Sequence, residues 1–338
     1  MDNARKYLKC YMEKAEKHFK DWGSYYPPRA WEEFEEWNTK TFLKHLRANK
    51  SDVIKTKSYV GLLDSTKEFG FYMAFQKPDY EMLNNVLYQT SRQKLLDGGM
   101  TASGADHCRL LMDATSAFAC NDFEIIDCFF PKELPHSKGV FYTEVSVNLL
   151  KVLYYKENDL REEAIRKANE FLGKKISLWE KYVVSYFLSL IDRNSEEASA
   201  CLLELCKAYQ KLGETGPMMA SKLKKCFASE IHGLYRFARI VGEDFFNKIT
   251  RPDYTGFLDE FETWQKEHNY PKGKLFYRYP AEMGYMNKIF EASLPMVALK
   301  EYDEIKKIVD VEKFAADLTA NVARLSDAPC GRTADQGG

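Results

Sequence analysis

The chain is poor in the features that announce catalysis, secretion or membrane insertion. Its 338 residues carry a formal net charge of −1, so the charge balance calls for neither nucleic acid nor an anionic membrane as partner. A membrane span needs roughly 20 consecutive apolar residues, and the most apolar run, Tyr182 to Ile191, falls far short. The opening Met1-Asp2-Asn3-Ala4-Arg5-Lys6 lacks the apolar core of a signal peptide. A cytoplasmic location is expected. Glycine is scarce at 18 residues, standing singly or in pairs, which excludes the glycine-rich loop that wraps a phosphate. Neither H-E-x-x-H nor G-x-S-x-G occurs. The eight cysteines, at 10, 108, 120, 128, 201, 206, 226 and 330, include no C-x-x-C pair. They read as reduced, buried small hydrophobes.

Asp106-His107-Cys108 is the one place where thiol and imidazole adjoin. Neighbours on a helix point about 100° apart, so a facing nucleophile–base pair is not expected there. The other histidines, His18, His45, His136, His232 and His268, are scattered without ligand spacing. No catalytic residue, metal ligand or cofactor is expected, and the chain does not read as an enzyme.

What is present is helical periodicity. With 45% hydrophobic and 14% aromatic residues the chain can fill a large core, and 29% charged residues suit a solvated surface. Apolar residues recur at three- and four-residue steps almost throughout. Helices are expected over about 2–22, from Arg29, and from Ser51 toward Gln76. Another should run from Pro78-Asp79 to a stop at Asp97-Gly98-Gly99. Ala102 to Cys120, Val140 to Lys156, Leu160 to Leu172, Leu178 to Ile191 and Glu196 to Leu212 follow. Next come a longer helix carrying Leu223, Phe227, Ile231, Leu234, Phe237 and Val241, one within 251–270, and two over about 280–299 and 311–325. No sheet is evident; Lys274 to Arg278 would make at most a minor hairpin or an extended connector.

Three polar corners join these stretches: Ala119-Cys120-Asn121-Asp122, Lys156-Glu157-Asn158-Asp159 and Asp192-Arg193-Asn194-Ser195. Their asparagines fall at 121, 158 and 194, close to the period of a helix–turn–helix repeat. Asn and Asp suit such corners because they cap helices and tolerate left-handed backbone. The expected fold is therefore all-α, with helical hairpins stacked in a tetratricopeptide-like bundle or short solenoid. It forms one domain over 1–325, made of N-terminal helices (1–100), a repeat-like core (101–212) and C-terminal helices (213–325). The small, polar tail at 326–338 is expected to be disordered.

Two segments read as partner-facing helices: Trp31-Glu32-Glu33-Phe34-Glu35-Glu36-Trp37 and Leu258-Asp259-Glu260-Phe261-Glu262-Thr263-Trp264. Each alternates rings with acids, so one face packs while the other offers carboxylates to a basic partner. Glu32, Glu33, Glu36, Asp259, Glu260 and Glu262 are the candidate partner-binding residues. A basic stripe of Lys222, Lys224, Lys225, Arg236 and Arg239 lacks the aromatic platforms that single-stranded nucleic acid needs.

The stretch Gly104 to Phe129, GADHCRLLMDATSAFACNDFEIIDCF, resembles the central part of the immunity protein 49 family of bacterial polymorphic-toxin systems. Tyr142 to Tyr155 and Trp179 to Leu190 continue the resemblance in order, covering about 100–210. It implies an all-helical cytoplasmic protein that binds and neutralises a cognate toxin domain, with no functional-residue motif to carry over. The rival reading from the repeat is a tetratricopeptide-like adaptor for a peptide or regulatory protein; an α-helical enzyme is a third.

Overall fold

Helical periodicity is realised along most of the chain, as a computed structural model describing residues 3–46, 50–61, 66–102, 104–214, 220–304 and 307–327 shows. The N-terminal helices are α1 (Asn3–Trp22), α2 (Trp31–Leu46), α3 (Asp52–Gly61), α4 (Thr66–Gln76) and α5 (Tyr80–Thr101). In the middle lie α6 (Leu111–Phe118), α7 (Ile125–Phe129), α8 (Tyr142–Tyr155), α9 (Asn158–Leu172), α10 (Leu178–Ile191) and α11 (Ser195–Lys211). The rest are α12 (Lys222–Cys226), α13 (Ser229–Phe237), α14 (Glu243–Phe246), α15 (Asp259–Glu267), α16 (Gly284–Glu291) and α17 (Val311–Asp327). The all-α reading holds. One hydrophobic cluster runs from Tyr7 to Val322. The expected disordered tail lies outside the described residues from 328 on, while Ser326 and Asp327 end α17.

Several boundaries differ from expectation. The helix expected over Ser51 to Gln76 is realised as α3 and α4, and residues 62–65 between them lie outside the described residues. α5 runs through Gly98-Gly99 instead of stopping there. A Cβ at Gly98 would overlap Leu110, and one at Gly99 would lie 2.5 Å from Phe314. These glycines admit neighbours rather than end the helix. The helix expected from Ala102 begins only with a 3-10 turn at His107–Leu110. The long helix expected through Leu223 to Val241 breaks at Phe227, which is extended at φ −144° and ψ 98°. That break drops the Phe227 ring among Phe71, Phe75, His232 and Phe261. The helix expected over 280–299 ends at Glu291, and Leu299–Glu301 pairs antiparallel with Lys307–Val309 in a two-stranded sheet that the periodicity did not reveal.

α5 is the axis of the structure, packed against α3, α4, α6, α16 and α17. Its polar stripe is buried as well, at Asn84, Asn85, Gln89, Arg92 and Gln93. Buried amides must be paired; Gln93 donates to the Val60 carbonyl, while Asn84, Asn85 and Gln89 receive the extended connector 271–277. Gln89 Oε1 accepts the amides of Phe276 and Tyr277 at 3.0 and 3.1 Å, and its Nε2 donates to the Tyr277 carbonyl at 3.0 Å. Asn85 Oδ1 accepts from the Lys274 amide at 3.0 Å, and Asn84 Nδ2 donates to the Pro271 carbonyl at 3.1 Å. Lys274 to Arg278 is thus an extended connector held by helix side chains instead of a second strand.

The repeat is backbone-deep and shorter than the three asparagines suggest. Hairpins α8/α9 and α10/α11 stack through α8 and α10, whereas α6 packs against α5 and α13. The corners share a left-handed residue, at Asn121 (φ 60°), Lys156 (φ 56°) and Arg193 (φ 54°). Only in the first is it the asparagine. The residue that follows does different work each time. Asp122 forms a buried two-point ion pair with Arg92, at 2.6 and 3.0 Å. Glu157 bonds His136 at 2.8 Å. Asn194 caps α11 by accepting from the Glu197 amide. Asn158 is merely the first residue of α9.

Where α6 crosses α13, Ser116 and Ser229 touch at 3.1 Å, and a Cβ on Gly233 would overlap the backbone carbonyl of Thr115. Helix propensity would favour alanine at Gly233 by about 1 kcal/mol. Overpacking against a backbone atom that cannot swing aside wins. Gly233→Ala should lower stability by about 1–3 kcal/mol, read as a reduced urea midpoint at unchanged slope. A variant as stable as the parent would refute the close crossing.

Candidate interaction surface

The surface that stands apart from the rest begins where the core stripe of α1 runs out. Tyr7, Tyr11 and Ala15 sit four residues apart and are buried, on a helix that packs against α4 and α12. The same stripe continues into Phe19 and Trp22, which the described residues leave largely exposed. Phe19 is 43% exposed and Trp22 77%. Gly23, at φ 70°, then ends the helix, its amide bonding the Phe19 carbonyl at 2.8 Å.

The chain turns back so that its next rings extend the same patch. Tyr25, 37% exposed, stacks on Phe19 with centroids 4.4 Å apart, and the Arg29 guanidinium lies 3.3 Å over the Tyr25 ring. His18 Nδ1 donates to the Ser24 carbonyl (2.7 Å), and the ring lies beside Trp22 and Tyr26. Tyr26 in turn meets Trp37 of α2. Rings fixed against one another lose little freedom when a partner docks, the property expected of anchoring residues.

α2 supplies the acidic border. Phe34, Asn38 and Phe42 face the core, which leaves Glu32, Glu35 and Glu36 on the outer side. These three line an open groove of 560 Å³ with Thr39, Lys40, Leu43 and Pro280. Glu33 departs from expectation, because its carboxylate is engaged by Arg29 through the backbone amide (2.9 Å) and the guanidinium (2.5 Å). The hydrogen bonds from Arg29 hold the Glu33 carboxyl below the usual range. It fixes the turn that carries Tyr25 rather than facing a partner.

The second acidic segment does not join the first. Asp259 and Glu260 are exposed and line another open depression, of 640 Å³, with Asn3, Arg251, Asp253 and Tyr254. Arg251 pairs with Asp259 at 3.1 Å. Glu262 is a correction to the expected partner-binding set, being only 1% exposed. Its carboxylate receives the His232 Nδ1 proton at 2.7 Å and an ion pair from Arg236. His232 Nε2 accepts the Leu258 amide at 3.0 Å, which assigns the ring proton to Nδ1. The reason is helical spacing: Leu258, Phe261, Glu262 and Gln265 share one face, and all four are buried.

The basic stripe is likewise dismantled. Arg236 is wholly buried, its guanidinium 4.6 Å from the Tyr270 ring centre. Arg239 pairs with Glu243 and also covers Tyr270. Asp106, His107 and Cys108 correct a sequence argument in the opposite direction. His107 Nδ1 lies 2.8 Å from Asp106 Oδ1 and its Nε2 3.8 Å from Cys108 Sγ. The 100° rule applies inside a helix, but Asp106 is the extended residue capping the 3-10 turn, so its side chain folds back over the ring. The thiol is still no nucleophile. It is fully buried, and burial followed by the charge of Asp106 pushes its pKa well above the ordinary value.

No family model matches the chain, and neither a curated protein nor a solved structure matches it. No described helix is long and apolar enough to cross a membrane.

Breaking a buried ion pair from one side costs about 3–5 kcal/mol. Glu262→Gln should therefore lose about that much stability, while Glu260→Gln on the same helix stays within about 0.5 kcal/mol. Burial acts to raise the Glu262 pKa, but Arg236 and His232 bring it below its ordinary 4.5. The pair's contribution is complete above that pH and is lost as pH falls through the lower folded value. Urea unfolding of parent and Glu262→Gln should converge at acid pH. A constant gap between them would count against the pair.

Proposed function

We propose that this chain is an immunity protein, which binds a cognate toxin domain of a bacterial polymorphic-toxin system in the cytoplasm. It neutralises the toxin stoichiometrically, by covering its active site or an essential surface. The resemblance over Gly104 to Phe129 supports the class, and the helical scaffold suits it. The observation that carries the choice of surface is the exposed aromatic group beside the acidic outer face of α2, with Phe19 stacked on Tyr25 and Trp22 next to His18. A ring 77% exposed at a helix end contributes nothing to the core and much to a docked partner. Glu32, Glu35 and Glu36 would favour a basic toxin face and speed its approach.

Co-expression with the toxin encoded beside its gene should restore growth and yield a tight one-to-one complex. Trp22→Ala should weaken that complex by about 2 kcal/mol, roughly 30-fold in Kd, with an unchanged melting temperature. The Glu32→Lys/Glu36→Lys double variant should slow association most at low salt. If the pair does not bind, the toxin reading fails. If it binds but ignores both variants, the partner docks elsewhere.

A further inference from the structure

Asp106, His107 and Cys108 bring three different donor types together in one turn, with one donor atom from each lying within 4.8 Å of the others. The arrangement is built rather than incidental. Asp106 caps the 3-10 turn, its Oδ1 accepting the Cys108 amide at 2.8 Å. Its Oδ2 takes a bond from the Ser137 hydroxyl at 3.4 Å. Ser137 is pinned by Asn148, whose side-chain amide exchanges two 2.9 Å bonds with its backbone. Carboxylate ligands of metals are held by outer partners of this kind.

The imidazole supplies the second observation. His107 is 1% exposed, and its Nδ1 makes no hydrogen bond although Asp106 Oδ1 is only 2.8 Å away. The buried ring thus meets a carboxylate at Nδ1, as an ion pair, and a thiol at Nε2, three donor types that a divalent cation can bind, gathered in one turn. Lys151, whose charge reaches Cys108, gives its ammonium to the carbonyls of Lys132 and Leu134 instead.

We propose that Asp106, His107 and Cys108 form a three-donor site for a zinc-class divalent cation. Mixed oxygen, nitrogen and sulfur donors select zinc or cobalt over magnesium or calcium. Tetrahedral zinc places such donors roughly 3.3–3.6 Å apart, so closing the site takes shifts of about 1 Å. The Asp106 side chain, 24% exposed, is the route of entry, and a water completes the fourth position on that side. The thiol proton leaves to solvent as sulfur binds.

The test is a Co(II) titration of the reduced, metal-stripped full chain. One equivalent should bind with tetrahedral visible bands and a thiolate-to-cobalt charge-transfer band. Cys108→Ser should abolish that charge-transfer band, and Asp106→Asn should weaken binding about tenfold or more. Zn(II) should raise the thermal midpoint of the parent but not of Cys108→Ser. If Cys108→Ser does not fold, the zinc-dependent midpoint of the parent and its reduction in Asp106→Asn at equal zinc decide the matter. Absence of stoichiometric binding, or a cobalt spectrum unchanged by both substitutions, overturns the site.

Discussion

A helix buried on several sides must find partners for whatever polar groups it carries, and α5 meets that requirement with a strand-like segment from the far end of the chain. Asn84, Asn85 and Gln89 take the place of a neighbouring strand and satisfy the backbone of residues 271–277. The same network reaches the first corner, where Asn121 donates to Gln265 and to the Pro271 carbonyl, both at 2.9 Å. Gln265 in turn donates to Asn84 at 2.6 Å. Connector, corner, α5 and α15 are thereby fixed in one register. An unpaired buried amide costs about 1–3 kcal/mol, so a slip in any of them leaves several such groups stranded.

Around that axis two buried ion-paired groups tie helices together. Arg92 with Asp122 fixes the corner after α6 to α5, and Arg236 with Glu262 and His232 fixes α13 to α15. Buried pairs of this kind add little net stability compared with apolar packing, but they are costly to break from one side. Their consequence here is placement. Glu262 is taken from the second acidic segment and Arg236 from the basic stripe to hold helices together. At the edge of the molecule formed by α1 and α2, rings outrun the core and acids line the adjoining helix.

Much of the fold was legible because apolar periodicity reports directly on helix formation. The hairpins α8/α9 and α10/α11, the connector at 274–278 and the closure of α1 at Gly23 could all be read from residue order. The misreadings share a cause. Gly98 and Gly99 look like a helix stop until Leu110 and Phe314 are seen to need their space. Leu223 to Val241 looks continuous until the break at Phe227 is seen to fill an aromatic pocket. Glu262 belongs with the buried face by its spacing from Leu258 and Phe261, and that spacing could have flagged it. Phe19 and Trp22 gave no such signal, since they continue a stripe that is buried one turn earlier.

Local sequence thus determined what depends on neighbours along the chain: helix content, the polar corners, and the apolar face of each element. Tertiary structure decided what depends on neighbours in space. It settled which stripe is covered and which emerges into solvent, which acids are paired in the interior, and which glycines admit a crossing helix. It also brought the side chains of three consecutive residues, Asp106, His107 and Cys108, around one point. Periodicity reports the direction of a side chain around its helix axis; only packing determines whether anything stands in that direction to meet it.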